Sequence, residues 1–330
     1  MQKKFVDLHV HLDGTLNLKW QYERALKIKA IPSETSFTDY YRMMHPNCSA
    51  DENMFNKFDL PLDVMQDEEG IKESIYEFCK EQSGLGVIYT EFRFGPQLLT
   101  RKGLSQEETL VAAIAGVKEA ENDFPIKARI INCLMHKGNG ASFNHRENLE
   151  TIEVTRKHLG KYVVALDLAG YENNCDYDDY AYLFEKIRKY EIPFTMHAGE
   201  MGNGENILKA IKMGTKRIGH GINAIQSEEY VKAILENDIT LEICPTSNRS
   251  FGFNYADHPI HKLYEKGIRI CINTDDGTFD NNNLPYEFAM LKNVGFSDKQ
   301  LLEFTYNGIE AAFCSAEEKK ELKKMVDMEK

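Results

Sequence analysis

Short apolar runs rich in β-branched residues recur along the chain and alternate with segments whose apolar positions repeat at helical spacing. The runs lie at Phe5–Leu12, Val87–Phe94, Ile126–Met135, Tyr162–Leu168, Ile192–His197, Arg217–His220, Ile239–Cys244 and Ile268–Thr274. The amphipathic segments between most of them are Gln106–Ala120, Arg146–Leu159, Tyr177–Tyr190, Glu205–Met213 and Ser227–Glu236. Eight strands that alternate with helices predict an α/β fold, specifically a (β/α)8 TIM barrel.

The spacing departs from a minimal barrel after the first strand, where about 75 residues precede the second. This insertion, residues 17–85, contains predicted helices at Trp20–Lys29 and Ile71–Glu81 around an apolar patch at Met54–Met65. We expect it to form part of a lid over the catalytic face, although a peripheral helical subdomain would give the same pattern. Two further helices, Lys299–Phe313 and Ala316–Met328, complete a single predicted domain over residues 1–330.

Histidines and carboxylates gather at or just beyond the carboxyl ends of the predicted strands. His9 and His11 end the first run, His197 and His220 end two later runs, and Asp275 follows the last. The carboxyl ends of barrel strands carry the chemistry of such enzymes. A single histidine at a strand end is more often structural, but several such groups on separate strands favour a shared site.

His9, His11, His197 and Asp275 are the predicted ligands of a metal ion. Side chains two residues apart in a strand project from the same face, so His9 and His11 can bind one cation together. Zinc accepts imidazole nitrogen and carboxylate oxygen, and a catalytic zinc keeps one position open for water. Iron, cobalt and manganese accept the same donors.

Three further polar residues are predicted to be catalytic. Glu200, three residues beyond His197, suits a proton donor because an apolar pocket raises a carboxyl pKa; a carboxylate at a helix start is the alternative. His220 lies between two glycines and is expected to orient or deprotonate the attacking water, unless it is a packed core residue. Asp276 is expected to bind water or substrate, with a turn-forming Asp before Gly277 as the alternative.

Composition restricts the partners. The chain has 330 residues, and 40 Lys and Arg against 52 Asp and Glu give a net charge of −12 without a basic run. This charge argues against nucleic acid and membrane partners and favours a small neutral or cationic substrate. No apolar stretch approaches the roughly 18 residues of a spanning helix, and we expect a cytoplasmic protein. The seven cysteines form no CxxC pair, so neither a disulfide framework nor a zinc knuckle is predicted.

Eight sequence blocks together resemble the adenosine deaminase family of metal-dependent amidohydrolases, in order and almost from end to end. They are DLHVHLDGTL (Asp7–Leu16), FNKFDLPL (Phe55–Leu62), YTEFRFGPQLL (Tyr89–Leu99), VVALDLAG (Val163–Gly170), MHAGE (Met196–Glu200), RIGHGI (Arg217–Ile222), LEICPTSN (Leu241–Asn248) and NTDD (Asn273–Asp276). Each block is short and moderately specific. Their shared order is what makes the resemblance specific.

The resemblance implies zinc-dependent hydrolytic deamination of adenosine, and of deoxyadenosine, to the 6-oxo nucleoside and ammonia. One zinc per chain would be held by the four ligands predicted above. By the same resemblance, Glu200 protonates purine N1 and His220 activates the attacking water.

Substrate contacts also follow from the resemblance. Asp276 is implied to meet the attacking oxygen and purine N7, the Gly170 amide to meet N3, and Asp13 to meet the ribose 5′-hydroxyl, with His11 also in the pocket. The block Phe55–Leu62 and Met65 would line the roof over the nucleoside. No partner beyond the purine nucleoside is expected. The sequence does not specify the oligomeric state, and the predicted site is compatible with a monomer.

Two positions depart from the common family pattern and bear on substrate range. Tyr171 follows Gly170 where Asp is frequent, and Gly277 follows the Asp pair where Pro is frequent. An adenine deaminase of the same family is the nearest alternative, but such relatives usually carry Glu in place of Asp13. A catalytically inactive barrel used for binding is the alternative of another class, and the presence of every metal and acid–base position argues against it.

Overall fold

Eight strands, paired in parallel, form the centre of the computed structural model, which describes residues 3–45, 56–136, 144–202 and 204–328. The strands are β1 (Phe5–His11), β2 (Val87–Phe94), β3 (Lys127–His136), β4 (Val163–Gly170), β5 (Met196–Ala198), β6 (Arg217–His220), β7 (Thr240–Ile243) and β8 (Arg269–Ile272). They pair in the orders β1-β2-β3-β4 and β5-β6-β7-β8. Nearly every strand residue is buried, as expected of barrel strands covered by helices on one side and packed on the other.

Parallel bridges connect the two four-stranded sheets at both junctions. Leu166 of β4 bridges Phe194, just before β5, and Val10 of β1 bridges Asp275, just after β8. At the second junction the His11 amide donates to the Asp275 carbonyl at 2.8 Å, and the Asp275 amide donates to the His9 carbonyl at 2.9 Å. The strand order therefore agrees with the predicted (β/α)8 barrel and places Asp275 beside the two histidines of β1.

Fourteen α-helices lie within the described residues. They are α1 (Leu18–Lys27), α2 (Phe37–Met44), α3 (Asp59–Val64), α4 (Glu68–Gly84), α5 (Gln106–Asp123), α6 (His145–His158), α7 (Ala181–Lys189), α8 (Glu205–Met213), α9 (Glu228–Glu236), α10 (Ile260–Glu265), α11 (Gly277–Asp280), α12 (Leu284–Asn293), α13 (Asp298–Ala311) and α14 (Ala316–Asp327). Short 3-10 helices lie at Pro96–Leu99, Glu172–Asn174, Tyr177–Tyr180, Ile222–Gln226 and Ser247–Phe251.

The predicted segments agree with these elements, and their ends differ for local reasons. The fifth strand was expected from Ile192 but begins at Met196, because the residues before it make only one isolated bridge, between Phe194 and Leu166 of β4. The predicted helix Tyr177–Tyr190 starts as a 3-10 turn and becomes α-helical only at Ala181. Helix α5 begins where its sequence indicates, since Ser105 and Glu108 form a reciprocal capping box.

Helices α1 to α4 make up the insertion after β1. Buried Arg24 of α1 donates to Asp67 at 2.5 Å and to Glu69 at 2.6 Å, which fixes α1 to the start of α4. Trp20 also donates to Glu73 of α4 at 3.2 Å. Met54 and Phe55 of the predicted apolar patch lie outside the described residues.

The last two helices pack against strands β1 and β2. Ile309 of α13 and Leu322 of α14 pack with Val6, Leu8 and Tyr89 in one buried cluster. Among the described residues, no helix combines the length and the apolar character needed to cross a membrane. Six cysteines are free thiols, four of them buried, and Cys48 lies outside the described residues.

Candidate active site

A cavity of about 510 Å³ opens at the carboxyl ends of the strands. Strand ends and the adjoining connections supply much of its wall, in the form of His11, Phe94, His136, Gly170, His197, His220 and Asp275. The insertion contributes Lys57, Phe58 and Leu62. Met65, expected in the roof, is instead fully buried in the hydrophobic core and does not line the cavity.

The four predicted metal ligands converge beside this cavity: His11, His197 and Asp275 line it, and His9 is fully buried. One donor atom from each of His9, His11, His197 and Asp275 lies within 4.8 Å of the others. The Nε2 atoms of His11 and His197 are 3.1 Å apart, and Asp275 Oδ1 lies 3.4 Å from Nε2 of both His9 and His11. Ligands at roughly 2.0–2.2 Å from a tetrahedral ion would be about 3.3–3.6 Å apart, so the spacing fits one cation.

Two details of these side chains support the same fit. His9 Nε2 is buried without a hydrogen-bond partner, which a cation would relieve. Burial lowers the pKa of His11 well below its ordinary value, and the neutral imidazole is the form that binds metals.

A second group, made of His9, His220, Cys244 and Asp275, has equally close donor atoms. Burial raises the pKa of the Cys244 thiol well above its ordinary value, which disfavours the thiolate that a metal requires. Cys244 also does not line the cavity. The set with three histidines and Asp275 therefore suits a catalytic ion better, because three of its four members, His11, His197 and Asp275, line the space that water and substrate can enter.

Two of the predicted ligand histidines each contact a buried carboxylate through the ring nitrogen Nδ1. Glu242 Oε2 lies 2.8 Å from His9 Nδ1, and Asp167 Oδ2 lies 2.9 Å from His197 Nδ1. Arg93 joins the two carboxylates, at 2.9 Å to each. Such carboxylates fix the orientation of the rings and direct the opposite nitrogens towards the metal.

The sequence analysis did not predict these buried carboxylates and Arg93, although the sequence contains a pattern that indicates them. Glu91, Arg93, Asp167 and Glu242 are charged residues inside otherwise apolar strands, and all four are fully buried. Charged side chains are almost never fully buried unless they are paired. Their presence in barrel strands could therefore have indicated an ion-pair network in the barrel interior, which is what they form with Arg217.

Glu200, the predicted proton donor, lines the same cavity as the predicted metal ligands His11, His197 and Asp275. Asn248 Nδ2 donates to its Oε1 at 3.1 Å, and His220 Nδ1 lies 3.3 Å from the same oxygen. Burial raises the pKa of Glu200 well above its ordinary value, and the charge of Asp275 raises it further. A carboxyl group held protonated in this way can donate a proton.

His220 ends β6 with its backbone in the left-handed region, at φ 62°, and Asp275 has φ 63°. Such backbone is costly for residues other than glycine and is typically retained at functional sites. Burial lowers the pKa of His220 well below its ordinary value, so the imidazole is neutral. Its Nε2 lies 3.9 Å from Asp275 Oδ2, on the side of the metal ligands.

Asp276 lines the cavity next to the ligand Asp275. Its Oδ2 lies 3.6 Å from Lys57 Nζ of the insertion, a contact that sequence reasoning did not anticipate. Burial raises the pKa of Asp276 well above its ordinary value, and the neighbouring charge of Asp275 adds to the effect. Gly14 makes room for this side chain, because a Cβ at position 14 would lie 1.8 Å from Asp276 Oδ1.

The predicted substrate contacts line the same cavity. Asp13 is buried with Oδ1 unpartnered, and burial raises its pKa to about 6. Gly170 ends β4 at φ 144°, where a Cβ would lie 2.2 Å from the His136 carbonyl oxygen. This region of backbone space is nearly exclusive to glycine, which leaves the main chain open to a ligand.

The two departures from the family pattern have different positions. Tyr171 lines the cavity directly. The Gly277 amide donates to Thr15 Oγ1 at 2.9 Å, a bond that proline could not make. Gly277 therefore connects the loop after β8 to the loop after β1.

Comparisons with known proteins agree with this architecture. A protein-family profile described as "Adenosine deaminase" matches residues 5–329. The chain is 35% identical over 327 residues to an adenosine deaminase from Clostridium perfringens (strain 13 / Type A), covering 96% of each chain. It is 36% identical over 331 residues to an adenosine deaminase from Clostridium botulinum (strain 657 / Type Ba4), covering 98% of each.

Solved structures agree in fold. An adenine deaminase from Arthrobacter aurescens superimposes with a TM-score of 0.89 at 21% identity, covering 99% of this chain and 98% of its own. An amidohydrolase from Burkhoderia ambifaria, solved with bound zinc, gives a TM-score of 0.84 at 20% identity, covering 99% and 91%. At these identities the likeness concerns the fold.

Proposed function

The chain belongs to the adenosine deaminase family, and on that premise we propose that its cavity catalyses the hydrolytic deamination of adenosine, and of deoxyadenosine, to the 6-oxo nucleoside and ammonia. The observation that carries the proposal is the convergence of His9, His11, His197 and Asp275 beside Glu200. Full-length similarity to adenosine deaminases at 35–36% identity supports the choice of reaction.

We propose that the four ligands hold one zinc ion per chain. The donor set of three imidazoles and one carboxylate suits zinc, and the spacing of the donor atoms fits a tetrahedral ion. When bound, zinc lowers the pKa of a water ligand towards about 7 and so supplies a nucleophile at neutral pH. Glu242 and Asp167 orient His9 and His197 for this role.

Glu200 and His220 carry the proton transfers. Protonated Glu200 donates to purine N1, which makes C6 electrophilic, while the neutral imidazole of His220 accepts a proton from the water that attacks C6. The proton on His220 then passes to the amino group, and ammonia leaves as the C6–N bond breaks. The remaining proton of the water returns to Glu200, so both residues regain their starting states. Such general acid–base steps typically contribute about 100- to 10,000-fold in rate.

The remaining residues orient the nucleoside. The unpartnered Oδ1 of Asp13 can accept the ribose 5′-hydroxyl hydrogen, and Asp276 is placed to meet N7 and the attacking water. The Gly170 amide would donate to N3. We propose that the insertion forms part of a lid within a single barrel domain. Lys57, Phe58 and Leu62 support the lid role, because they bring side chains of the insertion onto the cavity wall.

The test is the formation of inosine and ammonia from adenosine by purified, zinc-loaded protein, with adenine and AMP as comparison substrates. We expect kcat/KM to be highest for adenosine, since adenine lacks the ribose and a 5′-phosphate would bring negative charge towards Asp13. Faster turnover of adenine than of adenosine would replace this assignment with a free-base deaminase. Zinc binding without turnover of any of the three would favour a binding protein.

A further inference from the structure

A buried carboxylate outside the predicted site accepts hydrogen bonds from the turn that carries Glu200. Glu172 lies two residues beyond the end of β4 and is only 5% exposed. Its Oε1 accepts the Gly199 amide at 2.7 Å, and its Oε2 accepts the amides of Glu200 and Met201 at 3.0 and 2.9 Å. Three consecutive backbone donors therefore point at one side chain.

A fourth donor completes the arrangement. Asn206, in the first turn of α8, donates its Nδ2 to Glu172 Oε1 at 3.1 Å. Each carboxylate oxygen thus accepts two hydrogen bonds, which uses the usual capacity of the group. Glu172 ties together the loop after β4, the turn after β5 and the start of α8.

The turn at residues 199–201 depends on this carboxylate. Its three amides make no other hydrogen bond among the described residues, and buried backbone donors must be paired. Gly199 adopts φ 70°, so the chain bends sharply where Glu200 begins. The side-chain carboxyl group of Glu200 is held separately, by contacts with Asn248 and His220.

We propose that Glu172 is a positioning residue for the proton donor Glu200, an inference that rests on the proposed function. By fixing the backbone at Glu200, Glu172 determines where the acid meets purine N1. Misplacement of a catalytic group by about 1 Å can cost on the order of 100-fold in rate, so this support matters kinetically.

The negative charge of Glu172 also affects the proton donor, because it raises the pKa of Glu200. The pKa of Glu200 is raised first by burial and then by the negative charges of Asp275 and Glu172. Glu172 therefore both places the acid and favours its protonated form. The family-like block Val163–Gly170 ends two residues before Glu172, so the sequence analysis did not identify this residue.

The test compares Glu172→Gln, Glu172→Asp and a control, Asp176→Asn, in zinc-loaded protein. Gln keeps the length but brings an amide donor against backbone donors, whereas Asp keeps the charge but is too short to reach all three amides. Either change should lower kcat about 10- to 100-fold, leave KM within a few-fold and leave zinc content unchanged. Asp176 is an exposed carboxylate on the same connection, and within the described part of the chain its only side-chain partner is Lys209, so its variant should match wild type.

A double variant shows whether Glu172 acts through Glu200. In a Glu200→Gln background, Glu172→Gln should lower kcat by less than about 2-fold, because the positioned acid is already gone. Hydrogen exchange of the peptide spanning 196–202 should become faster in Glu172→Gln, in the absence of substrate.

Two outcomes in kcat would overturn the proposal. One is an equal loss from Glu172→Gln in the wild-type and the Glu200→Gln backgrounds, and the other is wild-type kcat in both Glu172 variants. Unchanged exchange in the 196–202 peptide would do the same. If wild-type protein forms no inosine, that result contradicts only the proposed function. The contact between Glu172 and the 199–201 turn is tested separately, because hydrogen exchange is measured without substrate. If Glu172→Gln does not fold, Glu172→Asp provides the same comparisons.

Discussion

Replacing Arg93 by Met should weaken both the folded state and zinc binding, because this residue connects the carboxylates behind two metal ligands. Arg93 is fully buried, and its guanidinium donates to Asp167 at 2.9 Å, to Glu242 at 2.9 Å and to the Leu8 carbonyl at 2.6 Å. Met fills much of the same space without the charge. Among the described residues, Asp167 would then keep only the His197 imidazole within ion-pair distance, and an imidazole that binds a metal is neutral.

The size of the effect follows from these contacts. Each hydrogen bond to a charged partner contributes about 1.5–3 kcal/mol, so the two bonds to carboxylates account for about 3–6 kcal/mol before the cost of burying Arg93 is subtracted. Breaking a buried ion pair by removing one partner typically costs about 3–5 kcal/mol, and we expect a loss of unfolding free energy in that range. Zinc affinity should fall about 10- to 100-fold, as for other residues that orient metal ligands.

The assay is urea unfolding followed by circular dichroism on metal-free protein, together with zinc affinity from competition with a chromogenic chelator. Arg93→Lys keeps the charge but not the fork that reaches both carboxylates, so its loss should be intermediate. Arg101→Met is the matched surface control. Arg101 is half-exposed and pairs with Asp63 at 2.8 Å, so its loss should stay within about 1 kcal/mol. Arg93→Met protein with the stability and zinc affinity of Arg101→Met would refute the reasoning.

Three further predictions concern the site itself. His9→Ala and Asp275→Ala should each lose zinc, since each removes one of four ligands; full occupancy by elemental analysis with normal turnover would contradict the ligand set. Glu200→Gln should lower kcat by about 100- to 10,000-fold with zinc content unchanged, and retention of most activity would assign the acid role to another residue. Asp13→Ala should reduce kcat/KM for adenosine by about 1.5–3 kcal/mol in transition-state stabilisation while leaving any reaction on adenine nearly unchanged. An equal loss of kcat/KM on both substrates would show that Asp13 does not contact the ribose.

Patterns local to one strand allowed the fold class and the position of the site to be predicted. The bounds of β2 and β6 agree with the predicted runs Val87–Phe94 and Arg217–His220, and every residue of both strands is buried, as expected of strands covered on both faces. His9 and His11 point to one side because side chains alternate along a strand. Helices α2 and α3 of the insertion, α10 before β8, and α11 and α12 after it were not predicted. All but α12 span eight residues or fewer, and such short sequences carry little periodic signal.

The sequence by itself determined that histidines and carboxylates end the strands of one barrel, which is enough to indicate a metal site and its face. Only the tertiary structure decided what holds those residues in place. Arg93 reaches Glu242 across 149 residues of sequence, and Glu172 reaches the Glu200 turn from another strand's connection. Side-chain alternation and strand ends are properties of a few consecutive residues, whereas the pairing of a buried charge depends on which distant segments the folded chain brings within about 3 Å.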